Sequence, residues 1–288
     1  MNEINIGSKL VGPGHPAYIV AEIGANHGGN VNKAKSMMSM AKGAGAQAVK
    51  FQKRVPHLAI PKAEQQCLKD TPWGRLAYVS YRLRLELTPS DYESIDEHAR
   101  EIGIDWFLSV WDQPSLDFIM GLKPIAIKVP SPCLTDMSLL EAIAATESPV
   151  ILSTGMSTRE QIVKALPVFS GSALIVCQCT STYPCPPEEV NLRVIGDSDQ
   201  TGFLVGYSGH ELGVNISIAA VALGAVYIER HFTDDKTQWG SDQAMSLEPQ
   251  EFRQMVDGIR EVEAAMGDGK KQLYDSELDA MKRLRRVQ

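Results

Sequence analysis

Short apolar runs alternate with amphipathic stretches from one end of this chain to the other, and they do so eight times. The runs fall at 17–23, 47–52, 104–110, 124–129, 149–153, 173–179, 202–207 and 224–230. A run of that length, mainly apolar and followed by a helix or a long connection, reads as a strand covered on both faces. Strands alternating with helices belong to a parallel sheet, and eight such units in order predict a single-domain (β/α)8 barrel of the α/β class. An open doubly wound sheet is the competitor, but no Gly-x-Gly-x-x-Gly follows the first run. The stretch near 33–43 sets Ala34, Met37, Met38 and Ala41 at helical spacing before Gly43 and Gly45. Ser90 with Glu93 and Ser157 with Glu160 have capping-box spacing. A last long helix from Pro249 buries Phe252, Met255, Val256, Ile259 and Val262 before Gly267. The longest irregular stretch, 53–86, is expected to be a loop over the barrel mouth. The barrel domain is read as 1–270, and 271–288 as a helical tail with Leu273, Leu278, Met281 and Leu284 between charges.

Composition narrows the function classes. A net charge of −7 leaves no basic footprint for nucleic acid. The run Lys282-Arg283-Leu284-Arg285-Arg286 is too short to change that. No apolar run reaches membrane-spanning length, and Met1-Asn2-Glu3-Ile4-Asn5 lacks an export signal, so a cytoplasmic protein is expected. The five cysteines, Cys67, Cys133, Cys177, Cys179 and Cys185, are expected to be reduced and largely buried. Cys177 and Cys179 would share one strand face.

The polar residues gather where the strands end. The first strand ends in Glu22 before Gly24-Ala25-Asn26-His27-Gly28-Gly29, and the second in Lys50-Phe51-Gln52. Later strands bring Ser109 and Asp112, Lys128 and Ser131, Ser153-Thr154-Gly155-Met156, and Thr180-Ser181-Thr182-Tyr183-Pro184. The last two bring Ser208, His210 and His231. A barrel collects these positions into one ring at its catalytic face. Two imidazoles there suit a catalytic divalent metal, with two hydrogen-bonded strand-end histidines as the alternative. Lys50 and Lys128 beside Ser153, Ser181 and Ser208 could cradle a phosphate or carboxylate. The alternative has a lysine pairing with a carboxylate such as Glu22, an outcome expected for one lysine rather than both. Asp242 could reach the metal or a substrate hydroxyl, or simply form a turn.

The segments Ala21-Glu22-Ile23-Gly24-Ala25-Asn26-His27, Val49-Lys50-Phe51-Gln52 and Leu152-Ser153-Thr154-Gly155-Met156 resemble the sialic acid synthase family. So do Cys179-Thr180-Ser181-Thr182-Tyr183-Pro184, Gly206-Tyr207-Ser208-Gly209-His210 and Ile228-Glu229-Arg230-His231-Phe232-Thr233, and the likeness runs from about 15 to 265. The resemblance implies condensation of phosphoenolpyruvate with an open-chain hexose, free or 6-phosphorylated, to a nonulosonic acid and phosphate. It implies a divalent metal (Mn, Mg or Co) on His210 and His231. Phosphoenolpyruvate would lie on Lys50, Lys128, Ser131, Ser153, Ser181 and Ser208, with Lys128 also catalytic. Glu22, Gln52, Tyr183 and Asp242 would meet or activate the sugar, and a homodimer is implied. Three departures stand out. Cys133 occupies a place where a carboxylate is usual, so either Asp136 substitutes or the role is lost. Ser241-Asp242-Gln243 replaces a commoner Asp-His. The chain also ends about where relatives carry an antifreeze-like domain, which gives the expectation of a sugar without an N-acetyl group. A metal-dependent sugar isomerase or aldolase, and a non-catalytic sugar-acid-binding barrel, are the other readings.

Overall fold

Eight parallel strands close into a barrel in the computed structural model, which describes residues 3–196 and 202–287. Met1, Asn2 and Gln288 of the two termini lie outside the described residues. The barrel strands are β1 (Tyr18–Gly24), β2 (Ala48–Lys53), β3 (Asp105–Val110), β4 (Ile127–Val129), β5 (Val150–Ser153), β6 (Leu174–Gln178), β7 (Leu204–Gly209) and β8 (Tyr227–His231). Two late strands run further than their apolar runs predict. β7 takes in Ser208 and β8 takes in His231, because the barrel supplies inward polar surroundings that offset their burial.

Side chains alternate across each strand, and the two faces meet different partners. Ile19, Ala21, Ile23, Val49, Phe51, Leu108 and Val110 face the surrounding helices. Tyr18, Val20, Ala48, Phe107, Ala126, Ile151, Ile175, Cys177 and Tyr227 face inward, where a hairpin of Ile4–Ile6 and Lys9–Val11 adds Ile4, Ile6 and Val11. The amino end of the barrel is therefore sealed by apolar packing. Strand register then sets the polar layer above it, pairing Glu22 with Lys50, Ser109 with Lys128, Ser208 with Glu229, and His231 with Glu22.

Helix Val31–Gly43 buries Ala34, Met37, Met38 and Ala41, as its spacing predicts. Helix Pro249–Met266 buries Phe252, Met255, Val256 and Ile259, while Val262 is half-buried. The capping residues differ from those predicted. Thr88 with Asp91 and Thr158 with Gln161 form the boxes, in place of Ser90 with Glu93 and Ser157 with Glu160. Pro89 explains the first shift: with no N–H it takes the first helical position and leaves the cap to the residue before it.

The 53–86 stretch is not an irregular loop. It holds a turn of helix (Pro56–Ala59), an antiparallel hairpin (Leu68–Thr71 with Gly74–Ala77) and helix Tyr78–Leu85. Tyr81 from that helix meets Trp73 of the hairpin and Trp239 beyond β8, with ring centroids 6.5 and 5.0 Å apart. The excursion does stand at the mouth. The tail forms helix Leu278–Leu284 with Leu273 and Leu284 exposed. Four of the five free cysteines are buried, Cys67 being exposed. Among the described residues no helix is long and apolar enough to cross a membrane.

Candidate active site

Charged side chains point into the barrel above the apolar seal, and they are paired. Lys50 Nζ lies 2.6 Å from Glu22 Oε2 and 3.6 Å from Glu229 Oε1. Lys128 Nζ donates to both carboxylate oxygens of Glu229 at 3.0 and 3.1 Å. Tyr227 Oη and Ser208 Oγ also donate to Glu229, at 2.6 and 3.3 Å. All of these groups are buried, so the charges persist only because they neutralise one another. Both lysines thus have a carboxylate partner, where one was expected. Ser208 serves Glu229 instead of standing free for a ligand. Glu229 is the residue that sequence reasoning missed. Its signal was a carboxylate two residues before His231 in an otherwise apolar run, which alternation turns to the same face. Its neighbour Arg230 faces outward and pairs with Glu211 at 2.7 Å.

The two carboxylates titrate apart. Burial raises both, but Lys128 and Lys50 together hold Glu229 down to about 2. At Glu22, burial with the added charge of Glu229 outweighs Lys50, and its carboxyl stands above the usual range. For Lys128, burial disfavours the cation but Glu229 overcomes it, so the ammonium is retained.

Beside this layer, the ends of β4, β5 and β6 converge on a hydroxyl-lined hollow. Ser153 Oγ and Ser181 Oγ are buried there with no hydrogen-bond partner. Ser131 Oγ accepts from Gly155 N at 3.0 Å and donates to Cys179 Sγ at 3.6 Å. A Cβ at position 155 would stand 2.2 Å from Ser181 Oγ and 2.8 Å from Ser131 Oγ. Glycine therefore keeps the hollow open. Buried orphan hydroxyls carry a penalty that an anionic ligand would remove.

The histidine rings lie 5.5 Å apart between centroids. His210 Nδ1 is 2.7 Å from the Thr180 carbonyl oxygen and donates to it, which leaves Nε2 as a free lone pair. His231 Nδ1 is buried without a hydrogen bond, 3.8 Å from Asp242 Oδ2. Burial, with some help from His210 and against Asp242, pulls His231 down to about 3, so it is the neutral imidazole that a metal requires. Burial also pulls His210 down, but Cys179 and the Thr180 carbonyl more than reverse it. Among the described residues no group of three His, Cys, Asp or Glu side chains is arranged around one ion. Two imidazoles, one anchored through its other nitrogen and one carrying an orphan nitrogen, fit a divalent metal with open positions. The Tyr183 ring, half exposed, lies 4.1 Å from the His210 ring and is tilted 40° to it.

Gln52 links this centre to the mouth, donating from Nε2 to Glu22 Oε1 at 2.8 Å and accepting from Arg54 Nη2 at Oε1. Arg54, Arg82 and Glu86 also stand at this mouth, and sequence reasoning does not single them out because the short helix, hairpin and helix of 53–86 that aim them leave no clear periodicity. Arg54 lies 4.2 Å over the Trp111 ring, and burial with the nearby Arg82 charge lowers it to about 10. A cavity of about 230 Å³ opens alongside, lined by Trp73, Tyr81, Trp239, Asp242 and Gln243. A larger one of about 980 Å³ lies between helix Arg159–Ala165 and the outer faces of β6 and β7, reaching Thr154, Cys179 and Thr180 but none of the ion-paired lysines and glutamates. Cys133 Sγ hydrogen-bonds the Trp111 carbonyl at 3.8 Å. Asp136 does not substitute for a carboxylate there: it is exposed and caps helix Met137–Ala144 through Leu139 N.

A (β/α)8 barrel with an internal ion-pair layer, an orphan-hydroxyl hollow and two histidines at its carboxyl edge has the makings of an enzyme that handles a small anion. The chain belongs to the NeuB family, whose model matches residues 37–271. It is 39% identical over 287 residues to the N-acetylneuraminate-9-phosphate synthase of Homo sapiens, covering 96% of this chain and 78% of that one. It is 34% identical over 292 residues to the N,N'-diacetyllegionaminic acid synthase of Legionella pneumophila, covering 97% and 82%. The crystal structure of the N-acetylneuraminic acid (sialic acid) synthetase of Leptospira borgpetersenii, in complex with citrate, superposes with a TM-score of 0.86 at 30% identity, covering 99% and 98%.

Proposed function

We propose that this protein condenses phosphoenolpyruvate with an open-chain aldose, giving a nonulosonic (sialic-type) acid and inorganic phosphate. One observation supports the reading: unpartnered serine hydroxyls packed around Gly155 and two histidine rings 5.5 Å apart stand at neighbouring strand ends of one barrel edge, with Cys179 between Ser131 and His210. Relatives named as N-acetylneuraminate-9-phosphate, diacetyllegionaminic acid and pseudaminic acid synthases agree with it. Ser131, Ser153, Ser181 and the Gly155 N–H would receive the donor's anionic groups, and Lys128 and Lys50 would supply the cations. A divalent metal on His210 and His231 would act as a Lewis acid toward the acceptor aldehyde.

The carbon–carbon bond forms as C3 of the enol phosphate attacks the aldehyde carbon, whose oxygen takes a proton and becomes a hydroxyl. Water then adds at the electron-poor C2 and loses one proton, and the C2–O bond to phosphate breaks as the remaining hydroxyl proton passes to the departing phosphate, leaving the ketone. Glu22 is suited to orient that water and accept its proton, since burial and Glu229 raise its carboxyl above the usual carboxylate range against the pull of Lys50. Gln52, bonded to Glu22, together with Tyr183 and Asp242, would position the sugar. Both substrates being metabolites of the cell interior, the enzyme would work in the cytoplasm.

The test is consumption of phosphoenolpyruvate in the presence of Mn and a panel of aldoses. We expect loss of the enol absorbance only when a suitable aldose is added. No aldose-dependent consumption across the hexoses, their N-acetyl forms and their 6-phosphates would overturn the reading. The isomerase alternative has no use for the serine hollow, and a non-catalytic barrel none for two rings 5.5 Å apart.

A further inference from the structure

The two histidines are flanked by a fully buried ion pair that the condensation chemistry does not use. Glu211 follows His210 just past β7, and Arg230 precedes His231 within β8. Arg230 Nη1 donates to Glu211 Oε1 at 2.7 Å, and neither side chain is exposed. The same nitrogen donates to the Gly213 carbonyl and to Ser217 Oγ, each at 2.9 Å, while Nη2 donates to the Glu211 carbonyl. On the carboxylate, Tyr207 Oη donates to Oε2 at 2.7 Å and Ser217 Oγ to Oε1 at 3.0 Å. Gly209 leaves room for this carboxylate, since a Cβ there would stand 2.4 Å from Glu211 Oε2. The register of β7 with β8 ends where Gly209 lies beside Arg230, so His210 sits just past the ladder. Beyond that point Cys185 N holds the His210 carbonyl at 3.0 Å on one side, and the Arg230–Glu211 contacts tie the loop to β8 on the other.

A buried ion pair is a poor stabiliser beside apolar side chains of the same volume, and its attested use is to fix one arrangement. Arg230 even leaves its own Nε without a partner while its other nitrogens reach the loop. From this we infer that Arg230 and Glu211 are positioning residues of the metal centre. They fix the His210 loop against β8 and so set the spacing of the two imidazoles, whose ring centroids are 5.5 Å apart. Both side chains pack on the outer side of the barrel wall, under Ser217 of helix Asn215–Ala222, and act only through the backbone of the histidines they adjoin. The inference rests on the reading of His210 and His231 as metal ligands and adds to it the pair that holds them in place.

The experiment titrates Mn into the chelator-treated full chain by calorimetry and records Tm beside it. The proteins are wild type, Arg230→Met, Arg230→Lys, Glu211→Gln, Ser217→Ala and Leu140→Ala. Leu140 serves as a control, because it is buried on helix Met137–Ala144, which follows β4, across the barrel from β8. Arg230→Met should raise the Kd for Mn by about tenfold to a hundredfold, the usual worth of a group that orients a metal ligand. Arg230→Lys should recover part of that loss. Should Arg230→Met fail to fold, Glu211→Gln and Ser217→Ala carry the test: each should weaken Mn binding by about threefold to tenfold, the worth of one hydrogen bond. Leu140→Ala should lower Tm and leave the Kd for Mn unchanged. A control that loses Mn affinity as steeply with Tm as the variants do would make the pair merely structural and overturn the inference. Wild-type Mn affinity in every variant would overturn it too, while leaving the metal reading intact. A wild type that binds no divalent ion would sink that reading and the inference together.

Discussion

Glu229 couples the stability of the barrel to the acid–base state of its centre. Replacing it with alanine strands Lys128 and leaves Lys50 with Glu22 alone, and unpaired buried charges of this kind cost about 3–5 kcal/mol. Urea unfolding would measure that loss. The pH dependence has a definite sign. Glu229 sits at about 2, below its ordinary 4.5, so its contribution is complete above pH 4.5 and is lost as pH falls toward 2. Circular dichroism through that window should find the acid transition weakened in Glu229→Gln. The histidines should behave differently. His210→Ala and His231→Ala remove no ion-pair partner of the lysines. We expect metal binding and turnover to vanish while Tm falls by no more than roughly 4 °C, about 1 kcal/mol for a chain of this size. A larger fall with metal retained, read by calorimetry, would make them structural. Gly155→Ala pushes a methyl into the serine hollow. It should weaken phosphoenolpyruvate binding by about tenfold to a hundredfold in isothermal titration, the equivalent of about 1–3 kcal/mol of overpacking.

At the scale of the element, what matters is where helices start and what the strand ends carry. The boxes at Thr88 and Thr158 fix the approach of two helices to the barrel. Thr88→Ala should cost about 1 kcal/mol and Ser90→Ala less than about 0.5 kcal/mol in denaturant melts, because only the first hydroxyl accepts from the Asp91 N–H. The excursion after β2 matters more to function. Its hairpin and helix carry Trp73, Tyr81 and Arg82 to the mouth, where Tyr81 meets Trp239. The aromatic side of the mouth is thus built from segments on either side of β1, whereas the serine hydroxyls stand at the ends of β4 to β6.

For the molecule as a whole, the apolar seal at one end and the charged layer at the other explain why one face alone can host chemistry. The hairpin of Ile4–Ile6 and Lys9–Val11 closes the amino end, so ligands enter only past the strand ends that carry Glu22, Lys50 and the histidines. In the tail, Leu284 on the helix and Leu273 in the segment before it are exposed at 75% and 49%. Apolar side chains exposed in this way favour a partner surface. We expect a dimer by sedimentation equilibrium, reduced to monomer by truncation after Gly267 with turnover retained. A monomeric full-length chain would exclude it.

Local sequence determined a good deal. Eight apolar runs gave the barrel, helical spacing gave the core of Val31–Gly43, and strand-end residues gave Glu22, Gln52, Ser153, Ser181, His210 and His231. Those signals are local because burial on a strand or helix face repeats with the period of the backbone. Partner choice was beyond them. Glu229 became the shared partner of two lysines, and Ser208 turned to it, because parallel register and barrel closure bring β2, β4, β7 and β8 around one axis. Arg54, Arg82 and Gly155 likewise acquired meaning only from what faces them across the cavity. Residues more than a hundred positions apart leave no periodic trace in the chain. Only closure of the barrel decides which charges meet, since the free energy of a buried charge depends on its neighbour in space rather than in sequence.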